Sequence, residues 1–126
     1  MQRLHAVTLL VPDYEAGLAF YAGTLAWTVF SDIDLGGGKR WVLVGPNADT
    51  KILLARATTD AQVAAIGRQT GDRVGFFMET DDFARDHAAM IAAGVVFEEE
   101  PRFEPYGTVA VWQDPFGNRW DLLEFK

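Results

Sequence analysis

The two halves of the chain repeat one order of structural signals, and this repeat restricts the possible folds more than any other feature. Each half opens with a β-rich apolar run that ends at an acidic residue, continues into a helical pattern, and closes with three strand-like runs. Asp13-Tyr14 and Asp82-Phe83 lie 69 residues apart, and so do Gly45-Pro46 and Asp114-Pro115. Two matches at one offset indicate an internal duplication. We therefore predict an α+β fold of two βαβββ modules whose short sheets curl into a cup.

Apolar periodicity and turn residues set the expected boundaries. In the first module Asp13 is the predicted N-cap of a helix over residues 14–25, and the strands are Leu4–Val11, Trp27–Asp34, Arg40–Gly45 and Lys51–Ala55. In the second module the helix covers residues 83–93 and ends at Gly94, and the strands are Arg73–Thr80, Val95–Glu100, Thr108–Gln113 and Arg119–Phe125. We predict one domain, 1–126, composed of modules 1–56 and 73–126 joined by a linker, 57–72.

Composition excludes several classes of function. The 126 residues suit a single domain, and the lack of cysteine rules out thiolate metal sites, iron–sulfur clusters and thiol nucleophiles. The apolar run near the N-terminus is too short for a membrane span and has no cleavage pattern, so we expect a cytoplasmic protein without a membrane partner. A net charge of −7 disfavours nucleic acid and favours cationic ligands.

Two motifs resemble the vicinal-oxygen-chelate superfamily, which contains glyoxalases, bleomycin-resistance proteins and extradiol dioxygenases. The first is the strand, Asp13, and a helix that carries Leu18-Ala19-Phe20-Tyr21 and ends in Leu25-Ala26-Trp27. The second is DPFGNRWDLLE, residues 114–124, which is similar to the family's closing motif. The resemblance spans nearly the whole chain and implies the cupped double-module fold. It does not select an activity, because this fold carries lyases, epimerases, oxygenases, thiol transferases and drug-binding proteins.

The resemblance also implies up to four metal ligands, which are His or Glu in members that use a metal. Motif alignment puts these ligand positions at Ala6, Ala55, Gly75 and Asp121, and only Asp121 can bind a metal. His5 lies one residue from the first position, but strand alternation turns it away from the cavity unless a bulge restores it. We therefore predict no metal and no other cofactor.

Other side chains are candidates for ligand binding or catalysis. Glu79 shares strand parity with Gly75, so Glu79 and Asp121 are candidate cavity carboxylates for acid/base chemistry. The alternative for both is a strand-end or surface acid. His87, in the middle of a helix, is expected on its solvated face. The remaining candidates for ligand contact are Arg40, Trp41, Trp112 and Tyr106, the last in a proline-stiffened loop, PRFEPYG, over residues 101–107.

Three functions are compatible with these features. The first is a metal-free protein that sequesters a small cationic or aromatic molecule in an acidic, aromatic-lined cavity. The second is a metal-dependent lyase or dioxygenase of the glyoxalase type, and the third is a metal-independent acid/base enzyme that uses Glu79 and Asp121. The resemblance further implies a homodimer.

Overall fold

The computed structural model describes all 126 residues, Met1–Lys126, which group into two compact units, 1–66 and 67–126. The split falls inside the predicted linker, where residues 60–65 form a short helix. Each unit holds one mixed β-sheet with a helix, as expected for a βαβββ module. No helix is both long and apolar enough to cross a membrane.

The first unit contains a four-stranded sheet in the order β1-β4-β3-β2. Its strands are β1 (Val7–Val11), β2 (Thr28–Gly36), β3 (Lys39–Asn47) and β4 (Thr50–Arg56). β1 is parallel to β4, and the other neighbours are antiparallel. Gly37 and Gly38 form a two-residue hairpin loop between β2 and β3, and both have positive φ, as a type I′ turn requires. One face of the sheet is fully buried, and its side chains include Leu9, Val11, Val42, Val44 and Leu54.

The helix of this unit begins where the sequence predicts but changes type. The Asp13 side chain accepts a hydrogen bond from the backbone N–H of Ala16 at 2.7 Å and caps helix α1 (Tyr14–Leu18). The chain then widens into a π-helical segment, Ala19–Thr24, instead of continuing as an α-helix to residue 25. Phe20 and Tyr21 are both buried here, so the wider turn accommodates two adjacent aromatic side chains in the interior.

The second unit repeats this topology, with its strands in the order β5-β9-β8-β6. Its strands are β5 (Phe76–Glu79), β6 (Val96–Phe97), β7 (Arg102–Glu104), β8 (Gly107–Gln113) and β9 (Arg119–Phe125). Asp82 caps helix α3 (Phe83–Ala92) through the N–H of Arg85, and Gly94 follows the helix with φ +91°. Asp13 and Asp82 thus both act as helix N-caps and lie 69 residues apart, which supports the duplication. Helix α2 (Asp60–Ala65) precedes this unit.

One edge of the second sheet differs from the prediction. The expected strand over residues 95–100 is only two residues long, and β7 forms inside the segment that the sequence assigned to a loop. Both β6 and β7 pair with β8, so the edge strand is broken between them. Glu99 lies in this break, and its carboxylate accepts a hydrogen bond from the Val111 backbone N–H of β8 at 2.9 Å. That bond replaces the strand pairing that β6 would otherwise supply.

Candidate functional site

The first unit carries an open cleft of about 580 Å³ at the solvent-facing side of its sheet. Strand register gives this face the side chains of Leu10, Leu53, Ala55 and Trp41, opposite to the face that the helix covers. Trp41 is the most exposed of the four, with 37% of its surface accessible. The floor of the cleft is therefore apolar, with one aromatic side chain available for stacking.

The charge around this cleft is opposite to the sequence prediction. Lys39, Arg40 and Arg56 line it, and no acidic side chain does. This cleft is therefore not the acidic cavity that the sequence predicts, whose candidate carboxylates Glu79 and Asp121 lie in the second unit, and that cavity stays a prediction. Asp32 and Glu15 contact Arg40 but do not themselves line the cleft, and net charge does not show which face each residue occupies.

Arg40, a predicted ligand contact, is already held by protein groups. Its guanidinium donates to Asp32 at 2.6 and 3.0 Å and to Glu15 at 2.7 Å, and it lies 5.2 Å from the ring centre of Tyr14. Its backbone N–H donates to the Tyr14 hydroxyl at 3.0 Å. These contacts raise the pKa of Arg40 far above its usual value, chiefly through the hydrogen bond to Asp32. Arg40 therefore joins α1, β2 and β3 and has little capacity left for an anionic ligand.

The family's metal positions do not form a metal site. No group of three or more His, Cys, Asp or Glu side chains is placed to hold a metal ion. Ala6 and Ala55 carry no donor atom, and Ala55 lies in the apolar cleft. Gly75 carries no side chain, and a Cβ there would lie 2.8 Å from the Thr70 hydroxyl oxygen, so the Thr70 side chain would have to shift. The donor set therefore does not fit the divalent metal that the family implies.

Asp121 of β9 is the acid with the least ordinary environment. Its Oδ1 atom is buried and has no hydrogen-bond partner. Burial raises the pKa of Asp121; the nearby Glu99 adds to the rise, while Arg102 and Arg119 oppose it. The environment of Asp121 therefore favours its protonated form more than the environment of a surface acid does.

Glu79 lies on the same face of the sheet as Asp121, but the two side chains differ in burial. The register pairs Asp121 with Phe77 and Glu79 with Leu123, so the two acids lie on the same face and one cross-strand row separates them. Glu79 is exposed, whereas Asp121 is half-buried. A role for either residue in catalysis stays a prediction.

Trp112 does not occupy the position expected of a ligand contact. Its side chain is fully buried and stacks on Trp120 with ring centroids 5.0 Å apart and planes 14° apart. Trp120 in turn stacks on Phe76 at 4.7 Å. The stack packs strands β5, β9 and β8 together. Because the Trp112 side chain has no exposed surface, it cannot contact a ligand. Sequence parity did not reveal which face of β8 the helix covers.

Tyr106 and the two histidines also depart from, or refine, the expectations. Tyr106 is half-exposed in the two-residue turn between β7 and β8, not in a longer loop. His5 is exposed and lies before β1, outside the strand. His87 is not on the solvated face of α3: its ring stacks on Phe83 at 5.3 Å and meets the edge of Phe97 at 4.6 Å. His87 is therefore a packing residue that joins the helix to β6.

The closing motif has a structural task in the turn between β8 and β9. The Asp114 carboxylate accepts hydrogen bonds from the backbone N–H groups of Phe116 and Asn118, both at 2.9 Å, and from the Asn118 side-chain amide at 2.7 Å. Asp114 and Asn118 are both buried. The motif thus closes a turn, which explains why it identifies a fold without identifying a chemical activity.

Sequence reasoning did not select two residues of the cleft, Lys39 and Arg56. Lys39 follows the Gly37-Gly38 loop, and Arg56 is the last residue of the first predicted module. No local signal distinguishes them from solvated surface cations. Their position beside one apolar cleft follows from the β2–β3 hairpin and the end of β4, which the fold brings together.

Comparison with known proteins gives a consistent assignment of the fold. The family model described as "Glyoxalase/Bleomycin resistance protein/Dioxygenase superfamily" matches residues 3–122. An uncharacterized protein of Shewanella frigidimarina (strain NCIMB 400) is 40% identical over 128 residues, which cover 99% of this chain and 95% of that protein.

Two solved structures are similar over almost their whole length. The crystal structure of UcmS2 matches with a TM-score of 0.84 and 27% identity, covering 98% of each chain. TnmS3, an antibiotic binding protein from Streptomyces sp. CB03234, matches with a TM-score of 0.73 and 27% identity, covering 100% of this chain and 99% of its own.

Proposed function

Because the chain belongs to the glyoxalase/bleomycin resistance protein/dioxygenase superfamily, we propose that it is a binding protein that sequesters a small, flat organic molecule without a metal and without converting it. The observation that carries this proposal is the cleft of the first unit. Its volume of about 580 Å³ lies within the ~300–1,000 Å³ range of ligand pockets. Its apolar floor and the exposed face of Trp41 suit an aromatic molecule.

The chemistry of the ligand positions supports binding over metal-dependent catalysis. A catalytic divalent metal needs about three protein ligands with nitrogen, oxygen or sulfur donors. Ala6, Ala55 and Gly75 provide none, and Asp121 alone is too few. A lyase or dioxygenase of the glyoxalase type would need a donor set that this chain does not assemble.

One relative supports the same proposal. TnmS3 is described as an antibiotic binding protein, and it shares 27% identity with this chain over nearly its full length. Antibiotic binding is therefore a role of a similar protein with this fold.

The test begins with chelator-treated protein and a panel of flat aromatic compounds, including antibiotics, with calorimetry as the readout. We expect saturable binding, a marked loss of affinity in Trp41→Ala, and recovery of the ligand unchanged by mass spectrometry after overnight incubation. Phe125→Ala is the control, because Phe125 is an exposed aromatic residue at the end of β9 and lies outside the cleft. Equal loss in both variants, or conversion of the ligand, would refute the proposal.

Metal dependence is tested on the same sample. A ligand at about 100 times its dissociation constant stabilises a protein by about 2.7 kcal/mol, which is a rise of several degrees in melting temperature for this length. We expect no saturable rise with Ni²⁺, Zn²⁺, Mn²⁺ or Fe²⁺. A clear rise with one of them would favour the lyase or dioxygenase function instead.

A second function, metal-independent acid/base catalysis, is favoured by one observation. Asp121 has a buried, unpartnered oxygen and a raised pKa, which are properties of catalytic acids. If this function holds, a compound from the panel is converted by the wild type and not by Asp121→Asn, and Glu79→Gln reduces the rate. Unchanged turnover in Asp121→Asn would dismiss it.

We also propose a homodimer. β2 is an edge strand of the first sheet and exposes Val29, Phe30, Ile33 and Leu35. Exposed apolar edge strands favour pairing with a second chain. Light scattering after size exclusion should give twice the chain mass of 14.0 kDa, and a monomer at tens of micromolar would contradict the dimer.

A further inference from the structure

Two cations of the cleft have no acidic partner, although the chain has 18 acidic and 11 basic side chains. Arginines elsewhere in this chain form ion pairs, as Arg85 and Arg119 do with Asp81 and Glu98. Lys39 and Arg56 form none, and no hydrogen bond from either side chain is made to a protein group. They are therefore available to a ligand.

The position of Arg56 depends on the hairpin loop beside it. A Cβ built on Gly38 would lie 3.1 Å from the Nη2 atom of Arg56, so the guanidinium rests against the bare backbone of the loop. Gly38 has φ +81°, a conformation that glycine adopts without strain. The same residue thus closes the turn and leaves the space that the guanidinium occupies.

We propose that Lys39 and Arg56 bind the anionic group of a flat aromatic ligand whose ring system lies on the apolar floor against Trp41. This inference rests on the proposed binding function and adds the chemical class of the ligand. A guanidinium offers a planar pair of donors to a carboxylate, and the ammonium of Lys39 adds a second positive charge. Arg40 takes no part, since Asp32 and Glu15 neutralise it.

The ligand class therefore differs from the one that the net charge predicts. A chain with a charge of −7 attracts cations at long range. At contact distance the residues that line the cleft determine which ligand charge is favoured, and the charged residues among them are all cations. An acidic aromatic molecule, such as one with a carboxylate beside two fused rings, matches both the floor and the cations.

The test compares two probes of nearly equal shape, naphthoate and the neutral naphthamide, by calorimetry on the full chain. We expect naphthoate to bind about tenfold more tightly than naphthamide, which corresponds to about 1.4 kcal/mol. Lys39→Gln and Arg56→Gln should each weaken naphthoate binding several-fold and leave naphthamide unchanged. Arg68→Gln is the charge-matched control, because Arg68 is exposed and lies outside the cleft. Added salt should weaken naphthoate alone.

A pair of glycine variants tests the positioning of Arg56. Gly38→Ala and Gly36→Ala place the same side chain at nearly the same φ, +81° and +83°. Both substitutions should therefore destabilise the backbone conformation by a similar free energy. Only Gly38→Ala meets the Arg56 guanidinium, since a Cβ at Gly36 has nothing within 4 Å. We expect the selectivity for naphthoate to fall in Gly38→Ala and to persist in Gly36→Ala.

The outcomes separate this inference from the proposed function. Equal affinity for both probes, or no effect of Lys39→Gln and Arg56→Gln, overturns the anion site and leaves the binding function intact. Binding of neither probe overturns the assignment of flat aromatic ligands to this cleft, and with it the proposed function. Preference for naphthoate that Arg68→Gln reduces as much as Arg56→Gln would show a general charge effect and would also overturn the anion site.

Discussion

Truncating Asp114 tests whether the closing motif stabilises the fold. Asp114→Ala removes a carboxylate that accepts three hydrogen bonds, two from backbone N–H groups and one from the Asn118 amide. Because Asp114 and Asn118 are only 4% and 3% exposed, water does not readily replace these bonds. The variant should therefore lose much more stability than a typical surface substitution.

The magnitude follows from the number of bonds and their burial. A hydrogen bond to a charged group contributes ~1.5–3 kcal/mol, and a donor left buried costs ~1–3 kcal/mol. Three bonds do not add fully, since the turn relaxes and admits some water once the carboxylate is gone. We expect a loss of about 3–4 kcal/mol, which lowers the melting temperature of a chain of this length by roughly 12 °C.

The first unit provides a matched control. Asn47 closes the corresponding turn between β3 and β4, where its side-chain oxygen accepts hydrogen bonds from the backbone N–H groups of Asp49 and Thr50 at 2.9 and 3.1 Å. That turn is exposed, so water replaces the lost bonds and Asn47→Ala should cost only about 1 kcal/mol. Urea unfolding followed by tryptophan fluorescence measures both variants. Costs that agree within about 0.5 kcal/mol would refute the burial argument.

Two further predictions concern the second unit and the cleft. Burial raises the pKa of Asp121 above its unfolded value, so its contribution to stability is present in acid and is lost as pH rises through the folded pKa. The melting temperature of Asp121→Asn relative to wild type should thus increase from about pH 3 to about pH 7, and a flat difference would contradict this. Trp112→Ala should cost about 3–5 kcal/mol in urea unfolding, because Trp112 is fully buried, whereas Trp41→Ala should cost below about 1 kcal/mol. Similar costs for both tryptophans would show that the core and the cleft are wrongly assigned.

The architecture is predictable from the amino-acid sequence because local signals specify it. The Asp13 and Asp82 caps and the Asp114 turn are each set by a few adjacent residues whose side chains satisfy nearby backbone groups. The Gly37-Gly38 loop depends instead on the positive φ that glycine adopts without strain. Their repetition at one offset then specified two modules of the same order. The chemistry of the metal positions was also readable, since alanine and glycine have no donor atoms in any fold.

Which side chains come into contact depends on the packing of the folded chain. Strand alternation predicts two faces but not which of them the helix covers, and so Trp112 was assigned to a cavity although it lies in the core. The polarity of the cleft was likewise beyond the sequence. Net charge is a sum over all surfaces, whereas Lys39 and Arg56, 17 residues apart in the chain, become neighbours of one cleft only when the hairpin folds beside the end of β4.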